Sequence, residues 1–329
     1  MSKHVSYSEM QAWKTCRQKW YWSYGLQLEP SDIKMPLLFG QVAHAALDTF
    51  HRGENWEKQI ERALEQITVE MDARLTGLCG EEKNSIVSPM LAELADIYGA
   101  VKRVVDYETA LNIRVIPEHR FEVDLLPDVK LIGYIDGIID KGPTVSLVEY
   151  KFVKRFYQEK SWDIASQVPI YEWAMEQEGR KVEYTSIIEV LRDGPKEPEI
   201  LKNGTVSRRA INTDWLTYKR AVIENGENPN NYEDMKEKLA DRVFLKDTPI
   251  IRNSKSRALF VEQLKGVARE IVSEGHAIYM NDNLLTCSWC PFYELCMETG
   301  RGRDYTNLVG TLFQLRKREN RNDTTDLQN

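Results

Sequence analysis

Apolar positions recur at helical spacing over the first third of the chain, alternate with polar ones through the middle, and return to helical spacing afterwards. Ser6-Tyr7-Ser8-Glu9 reads as a capping box. The helix it opens runs through Trp13, Cys16, Trp20 and Tyr24, with Gly25 as its stop. After a loop containing Pro30 and Pro36, helices are expected over about 38–52, ending near Gly53, then over 55–76 and 83–111. The segment up to 111 is therefore expected to be almost entirely helical. Strands follow at Phe121–Leu126, which ends at a Pro127-Asp128 turn, and at Val129–Asp140 and Thr144–Phe152, which Lys141-Gly142-Pro143 separates. A helix at about 161–178 and a strand at Tyr184–Leu191 come next. Helical patterns then cover about 206–224, 231–243 and 255–280, with a short extended piece near Pro249–Ile251. The polar tail beyond 315 reads as disordered. The divisions are thus 1–112, 113–200, 201–315 and the tail 316–329.

The two strands around Gly142-Pro143 carry the most chemistry. If that pair centres a hairpin turn, facing residues sum to 285, which sets Asp136 opposite Glu149 with Cβ atoms about 5 Å apart. Lys151 lies two residues beyond Glu149 and shares its face. Ile135, Ile139, Val148, Tyr150 and Phe152 fall on the other face and form a core layer. Two adjacent carboxylates repel unless a cation sits between them, and Mg²⁺ is typically held by one or two carboxylates together with water and phosphate oxygens. A lysine on the same rim can orient a water or stabilise charge on a phosphate. The same spacing also suits a solvated Asp/Glu/Lys trio joined by a salt bridge.

Composition changes this picture in two places. The net charge of −7 argues against a protein that coats nucleic acid through a broad basic surface. Local basic patches remain: Lys151, Lys154 and Arg155; Arg208 and Arg209; Arg252, Lys255 and Arg257. No apolar run approaches the roughly 20 residues that span a bilayer, and the first residues lack the apolar stretch of a secretory signal. A cytoplasmic protein (in the host cytoplasm if viral) with no membrane partner is expected.

The second place is the cysteines. Cys287, Cys290 and Cys296 place three thiols within ten residues, and the chain has two more, Cys16 and Cys79. A soft-metal site usually needs four ligands. Spacing alone does not choose the fourth cysteine, nor between zinc and an iron–sulfur cluster.

Asp136, twelve intervening residues and then Glu149-Tyr150-Lys151 resemble the Asp…Glu-x-Lys signature of the PD-(D/E)XK nuclease superfamily. Gly40-Gln-Val-Ala-His44 resembles the Gly-x-x-x-His element of its RecB-type branch, and Gln167-Val-Pro-Ile-Tyr171 resembles that branch's Gln-x-x-x-Tyr motif. One upstream cysteine with Cys-x2-Cys-x5-Cys downstream is similar to the iron–sulfur-stapled RecB-type nucleases, among them the CRISPR-adaptation exonuclease and the AddB nuclease domain. The resemblance implies an α/β fold, a restriction-endonuclease-like mixed sheet flanked by helices, with helical N- and C-terminal parts joined by a 4Fe–4S cluster. It implies Cys16, Cys287, Cys290 and Cys296 as cluster ligands and leaves Cys79 a free, packed thiol. It implies His44, Asp136, Glu149 and the Tyr150 carbonyl as ligands of Mg²⁺ or Mn²⁺, Lys151 beside the attacking water, and Gln167 and Tyr171 holding DNA. The implied activity is that of a DNA exonuclease of recombination, repair or replication, with recombination or replication proteins as further partners. The alternative is a non-catalytic DNA-binding subunit of a larger helicase–nuclease complex, stabilised by an iron–sulfur cluster or by zinc.

Overall fold

A computed structural model describes residues 3–31, 35–77, 79–209, 211–273 and 275–316. The disordered tail expected at 316–329 lies, beyond Arg316, outside the described residues. In chain order the elements are β1 (Lys3–Ser6), α1 (Tyr7–Thr15), α2 (Arg17–Trp20), β2 (Leu28–Pro30), α3 (Met35–His51), α4 (Trp56–Arg74), α5 (Gly80–Leu94) and α6 (Ile97–Ala110). The strands β3 (Ile116–Leu126), β4 (Val129–Asp140) and β5 (Thr144–Val153) follow, then α7 (Lys160–Ile164), α8 (Gln167–Gln177) and β6 (Lys181–Leu191). The remainder is α9 (Trp215–Glu224), α10 (Glu233–Leu239), β7 (Leu245–Ile250), α11 (Ser254–Val272), α12 (Leu284–Ser288), α13 (Tyr293–Gly300) and β8 (Phe313–Leu315).

The sheet order is β1-β4-β5-β6-β7, with β3 also paired to β4. It is mixed: β1 runs parallel to β4 and β5 parallel to β6, whereas β4–β5 and β6–β7 are antiparallel. The fold is a mixed α/β one with helices flanking the sheet. By contacts the chain forms two units, one drawn from Met1–Lys34, Glu122–Gly133 and Ala258–Asn329, the other from Met35–Phe121 and Tyr134–Arg257. This grouping cuts across the sequence divisions at 112 and 200.

In the larger unit, Val148, Tyr150, Ile188 and Val190 bury one face of β5 and β6 beneath α3, α4 and α6. The facing helix positions are Phe39, Ala43, Ala46 and Leu47 of α3 and Ile97, Ala100, Val101 and Val104 of α6, apolar at intervals of three and four. The other face carries Ile187, packed with Trp162 of α7, Val168 of α8 and Ile250 of β7.

The smaller unit departs from the expected continuous helix at 6–25. Ser6 does cap α1, its Oγ accepting the Glu9 N–H at 3.2 Å. The helix then breaks at Cys16, whose backbone is extended at φ −167° and ψ 120°. The reason lies 260 residues away in sequence: the Gln18 N–H donates to the Tyr279 carbonyl, and Asn281 bonds Thr15 and Cys16. The helix α11 ends at Val272 and does not run to 280. The strand β1 was not expected either, because Lys3-His-Val-Ser6 has a single apolar side chain to bury, Val5. Elsewhere the expected helix at 83–111 is two, split at Ala95-Asp96, and the one at 206–224 begins only where Asp214 caps it by accepting the Thr217 N–H. Among the described residues no helix is long and apolar enough to cross a membrane.

Candidate active site

The β4–β5 hairpin turns at Gly142, which adopts φ +84°, and Asp140 Oδ1 accepts the Gly142 N–H. The paired register runs from Asp140↔Val145 to Gly137↔Val148, so facing residues do sum to 285. The pairing stops one step short of Asp136 and Glu149. There the next ladder donor, the Tyr150 N–H, goes to the Asp136 side chain (Oδ2, 2.9 Å) rather than to a backbone carbonyl. The strands part, and Asp136 sits in the fork.

Gly137, the last paired residue before the fork, packs closely against Val115. A Cβ there would lie 2.3 Å from Val115 Cγ1, far inside any real contact. We predict that Gly137→Ala destabilises the protein by about 1–3 kcal/mol through overpacking, measured as a lowered denaturation midpoint; an unchanged midpoint would show that β4 has room to shift.

Six side chains converge at the fork. His44 of α3 places Nδ1 3.4 Å from Asp136 Oδ1. Lys151 Nζ donates to Glu149 Oε1 at 2.5 Å. Gln167, the first residue of α8, donates from Nε2 to Glu149 Oε1 (3.0 Å) and to Tyr171 Oη (3.2 Å), and its Oε1 lies 3.4 Å from Lys151 Nζ. Pro169 is compatible with this helix because it falls in the first turn, where backbone N–H groups have no intrahelical partner. Tyr171 stands edge-on to Phe121 at 5.4 Å. The structure thus brings His44, Asp136, Glu149, Lys151, Gln167 and Tyr171 into one cluster.

Their charges are mutually tuned. Burial raises the Glu149 carboxyl, as does the Asp136 charge, against the pull of Lys151. Burial would also raise Asp136, but the neighbouring His44, its hydrogen bond and Lys151 outweigh that and hold it below the usual carboxylate range. Burial disfavours charge on His44 and on Lys151, yet the adjacent carboxylates win and both bases are raised. A buried glutamate and a half-buried aspartate flanked by two bases form a site in which protons and cations compete for the same oxygens.

Beneath the site lies a second cluster that the sequence did not announce. The Tyr150 hydroxyl donates to Glu108 Oε1 at 2.5 Å, and His51 Nε2 meets Glu108 Oε2 at 2.8 Å, all three buried. His51, which follows His44 on α3 by seven residues and so shares nearly the same helix face, therefore belongs to the core. Neither His51 nor Glu108 stood out in the sequence.

The basic patches divide. Arg257 is buried against Glu172 and Glu176, Arg252 donates to the Trp162 carbonyl, and Arg208 pairs with Asp234. These arginines hold the fold. Lys154 and Arg155 are exposed at the end of β5.

The four C-terminal and N-terminal cysteines also come together. The Asn281 N–H donates to Cys16 Sγ at 3.3 Å, and Cys287 Sγ meets the Asn281 carbonyl at 3.6 Å. Trp22 Nε1 donates to Cys296 Sγ at 3.4 Å, and Cys290 and Cys296 pack against Trp22, Leu28, Phe292, Leu295 and Phe313. Burial raises the Cys290 and Cys296 thiols, and the other cysteines of the group add to this. Cys79 stands apart. It is exposed at the N-cap of α5, with its N–H bonded to Glu82, so it is not the packed thiol expected.

Among the described residues no group of three or more His, Cys, Asp or Glu side chains is placed to hold a metal ion. At the fork the physical reason is visible: Glu149 is taken up by Lys151 and Gln167, and Asp136 by His44 and the Tyr150 N–H. The donor types still fit. Carboxylate oxygens with an imidazole suit Mg²⁺ or Mn²⁺, and a cluster of thiols suits a soft metal.

Residues 4–297 match the family profile of the PD-(D/E)XK nuclease superfamily. The chain belongs to that superfamily. No curated protein matches it. Among solved structures, a Eubacterium rectale protein described as a candidate exonuclease is 11% identical, with 78% of this chain and 88% of that one covered at a TM-score of 0.38. The structure of SSO0001 is 12% identical, with 69% of this chain and 78% of that one covered at a TM-score of 0.30. Asp136 lies on β4, and Glu149 and Lys151 lie on β5, with the Tyr150 N–H between them bonded to Asp136.

Proposed function

We propose that the protein is a Mg²⁺- or Mn²⁺-dependent DNA exonuclease of the RecB type. The observation that carries this reading is the convergence of His44, Asp136, Glu149 and Lys151 at the β4–β5 fork. Asp136, Glu149 and His44 would hold the metal, with the Tyr150 carbonyl as a further ligand; the ion supplies a Lewis acid and a water acidified enough to attack a phosphodiester. Lys151, released from Glu149, positions that water or the phosphate. Gln167 sets the Lys151 and Glu149 side chains by hydrogen-bonding both, and Tyr171 steadies Gln167. Digestion of end-labelled DNA in Mn²⁺ tests this: nucleotides released progressively from an end support it, and intact DNA contradicts it.

A ligating imidazole must be neutral, so a metal competes with the proton on His44. Because Asp136 and Glu149 raise its pKa above the ordinary value of about 6.5, apparent Mn²⁺ affinity should fall as the pH drops through that raised pKa. His44→Ala should bind Mn²⁺ more weakly and show a flatter pH dependence, measured by titration at several pH values. A wild-type affinity that is level across this range excludes His44 as a ligand.

The four gathered cysteines support a 4Fe–4S cluster ligated by Cys16, Cys287, Cys290 and Cys296, acting as a staple between the two ends of the chain. Action in recombination, repair or replication fits an enzyme that trims DNA ends.

A further inference from the structure

Beyond Lys151, β5 runs to Val153, and residues 154–159 carry the chain to α7. Lys154, Arg155 and Lys160 are exposed and have no ion-pair partner among the described residues, whereas the acid between them, Glu159, is paired to Lys246 at 2.9 Å. In a chain of net charge −7 this is a concentrated local excess of positive charge. Tyr157 lies in the same loop, 52% exposed as a residue, with its ring edge-on to Trp162 at 5.3 Å.

The loop is held from below. Glu189 of β6 is fully buried, and its two oxygens tie the loop to α7: Oε1 accepts the Tyr157 N–H at 2.7 Å and Oε2 accepts Trp162 Nε1 of α7 at 3.2 Å. Trp162 is fixed in turn among Val168, Ile187 and Ile250. A buried carboxylate is costly and is retained where its hydrogen bonds are met. Glu189 is also the strand partner of Lys151 in the β5–β6 ladder. Nothing in the proposed metal site uses it.

We propose that residues 154–160 form a rail for single-stranded DNA at the active site. Lys154, Arg155 and Lys160 contact its phosphates, Tyr157 stacks on a base, and Glu189 is the positioning residue that holds the rail beside Lys151. Cations tracking a backbone with an aromatic ring offered to a base are the chemistry of single-strand binding, and only an unpaired base leaves a face free for Tyr157. The inference rests on the nuclease reading.

The test is fluorescence anisotropy of a labelled twelve-nucleotide oligo-dT on the full chain in EDTA. Lys154→Ala/Arg155→Ala should weaken binding about tenfold or more and flatten the slope of log K against log salt by about 1.4, two phosphates at about 0.7 each. Tyr157→Ala should weaken binding about 5- to 100-fold at unchanged salt slope. With Mn²⁺ present, Glu189→Ala should raise KM for the oligonucleotide more than it lowers kcat, and Glu189→Gln, whose amide oxygen still accepts one N–H, should restore part of the loss. Unchanged affinity and slope in the double variant overturn the rail, as does tighter binding of a blunt duplex of the same length. A fall in kcat at constant KM overturns the positioning role. Should Glu189→Ala not fold, the surface variants still decide. Binding is read without a divalent ion, so failure of the rail is distinguishable from failure of the nuclease reading, which shows as absent cleavage.

Discussion

Asp136→Asn and Lys151→Ala should each lower DNA hydrolysis by about 10²–10⁴-fold while leaving the protein folded. The two losses have different origins. Asp136 is where the protein gathers negative charge for a cation: it lies in the fork, bonded to the Tyr150 N–H and beside His44. Its amide variant keeps the shape and can still accept the Tyr150 N–H, so what is removed is charge. Lys151 contributes the opposite sign. Its ammonium now rests on Glu149, and a divalent ion drawn to Glu149 would free it to face a phosphate. Asp136→Asn should therefore lose metal binding together with activity, whereas Lys151→Ala should keep metal binding and lose activity. Cleavage rates and Mn²⁺ titration on the same preparations check this. Equal rates in wild type and both variants would leave the PD-(D/E)XK nuclease fold without its chemistry at this fork.

The second large effect concerns the cysteines. Cys16 and Cys287 are roughly 270 residues apart in sequence, yet both bond the peptide groups of Asn281. A cross-link closing so long a loop stabilises the folded chain by about 5 kcal/mol in a disulfide-like treatment, which for this size corresponds to roughly 5–10 °C in Tm. Cys16→Ser, prepared without oxygen, should lose that much in a thermal scan and lose the brown colour of a thiolate-bound cluster. Cys79→Ser should do neither, since Cys79 is exposed at the α5 N-cap. A colourless wild type carrying zinc would replace the cluster by a zinc staple and leave the stability prediction in place. A Cys16→Ser protein as stable as wild type would remove the staple altogether.

What was legible in the sequence was local. The alternation along Val129–Asp140 and the turn at Gly142-Pro143 placed the hairpin and its register, because a period of two leaves few ways to bury one face. The helical spacing of Phe39, Ala43, Ala46 and Leu47 likewise marked α3, which carries His44. What escaped depended on partners far along the chain. Cys16 looks like an interior helix position until Tyr279 and Asn281 are laid against it. The strand β1 exists only because Val129–Ile132 offers it an edge. Glu108 and Glu189 are ordinary glutamates in the sequence and fully buried carboxylates in the fold. Even the fork at Asp136 was invisible: the alternation implied an unbroken ladder, and it took a side chain capturing a ladder N–H to open it.

Crystals grown with Mn²⁺ and measured at a wavelength that reveals its anomalous scattering put the whole account at stake. One strong peak should lie within about 2.1 Å of oxygens from both Asp136 and Glu149, with Lys151 swung away from Glu149. Density for manganese elsewhere only, at a concentration that supports cleavage, would contradict it.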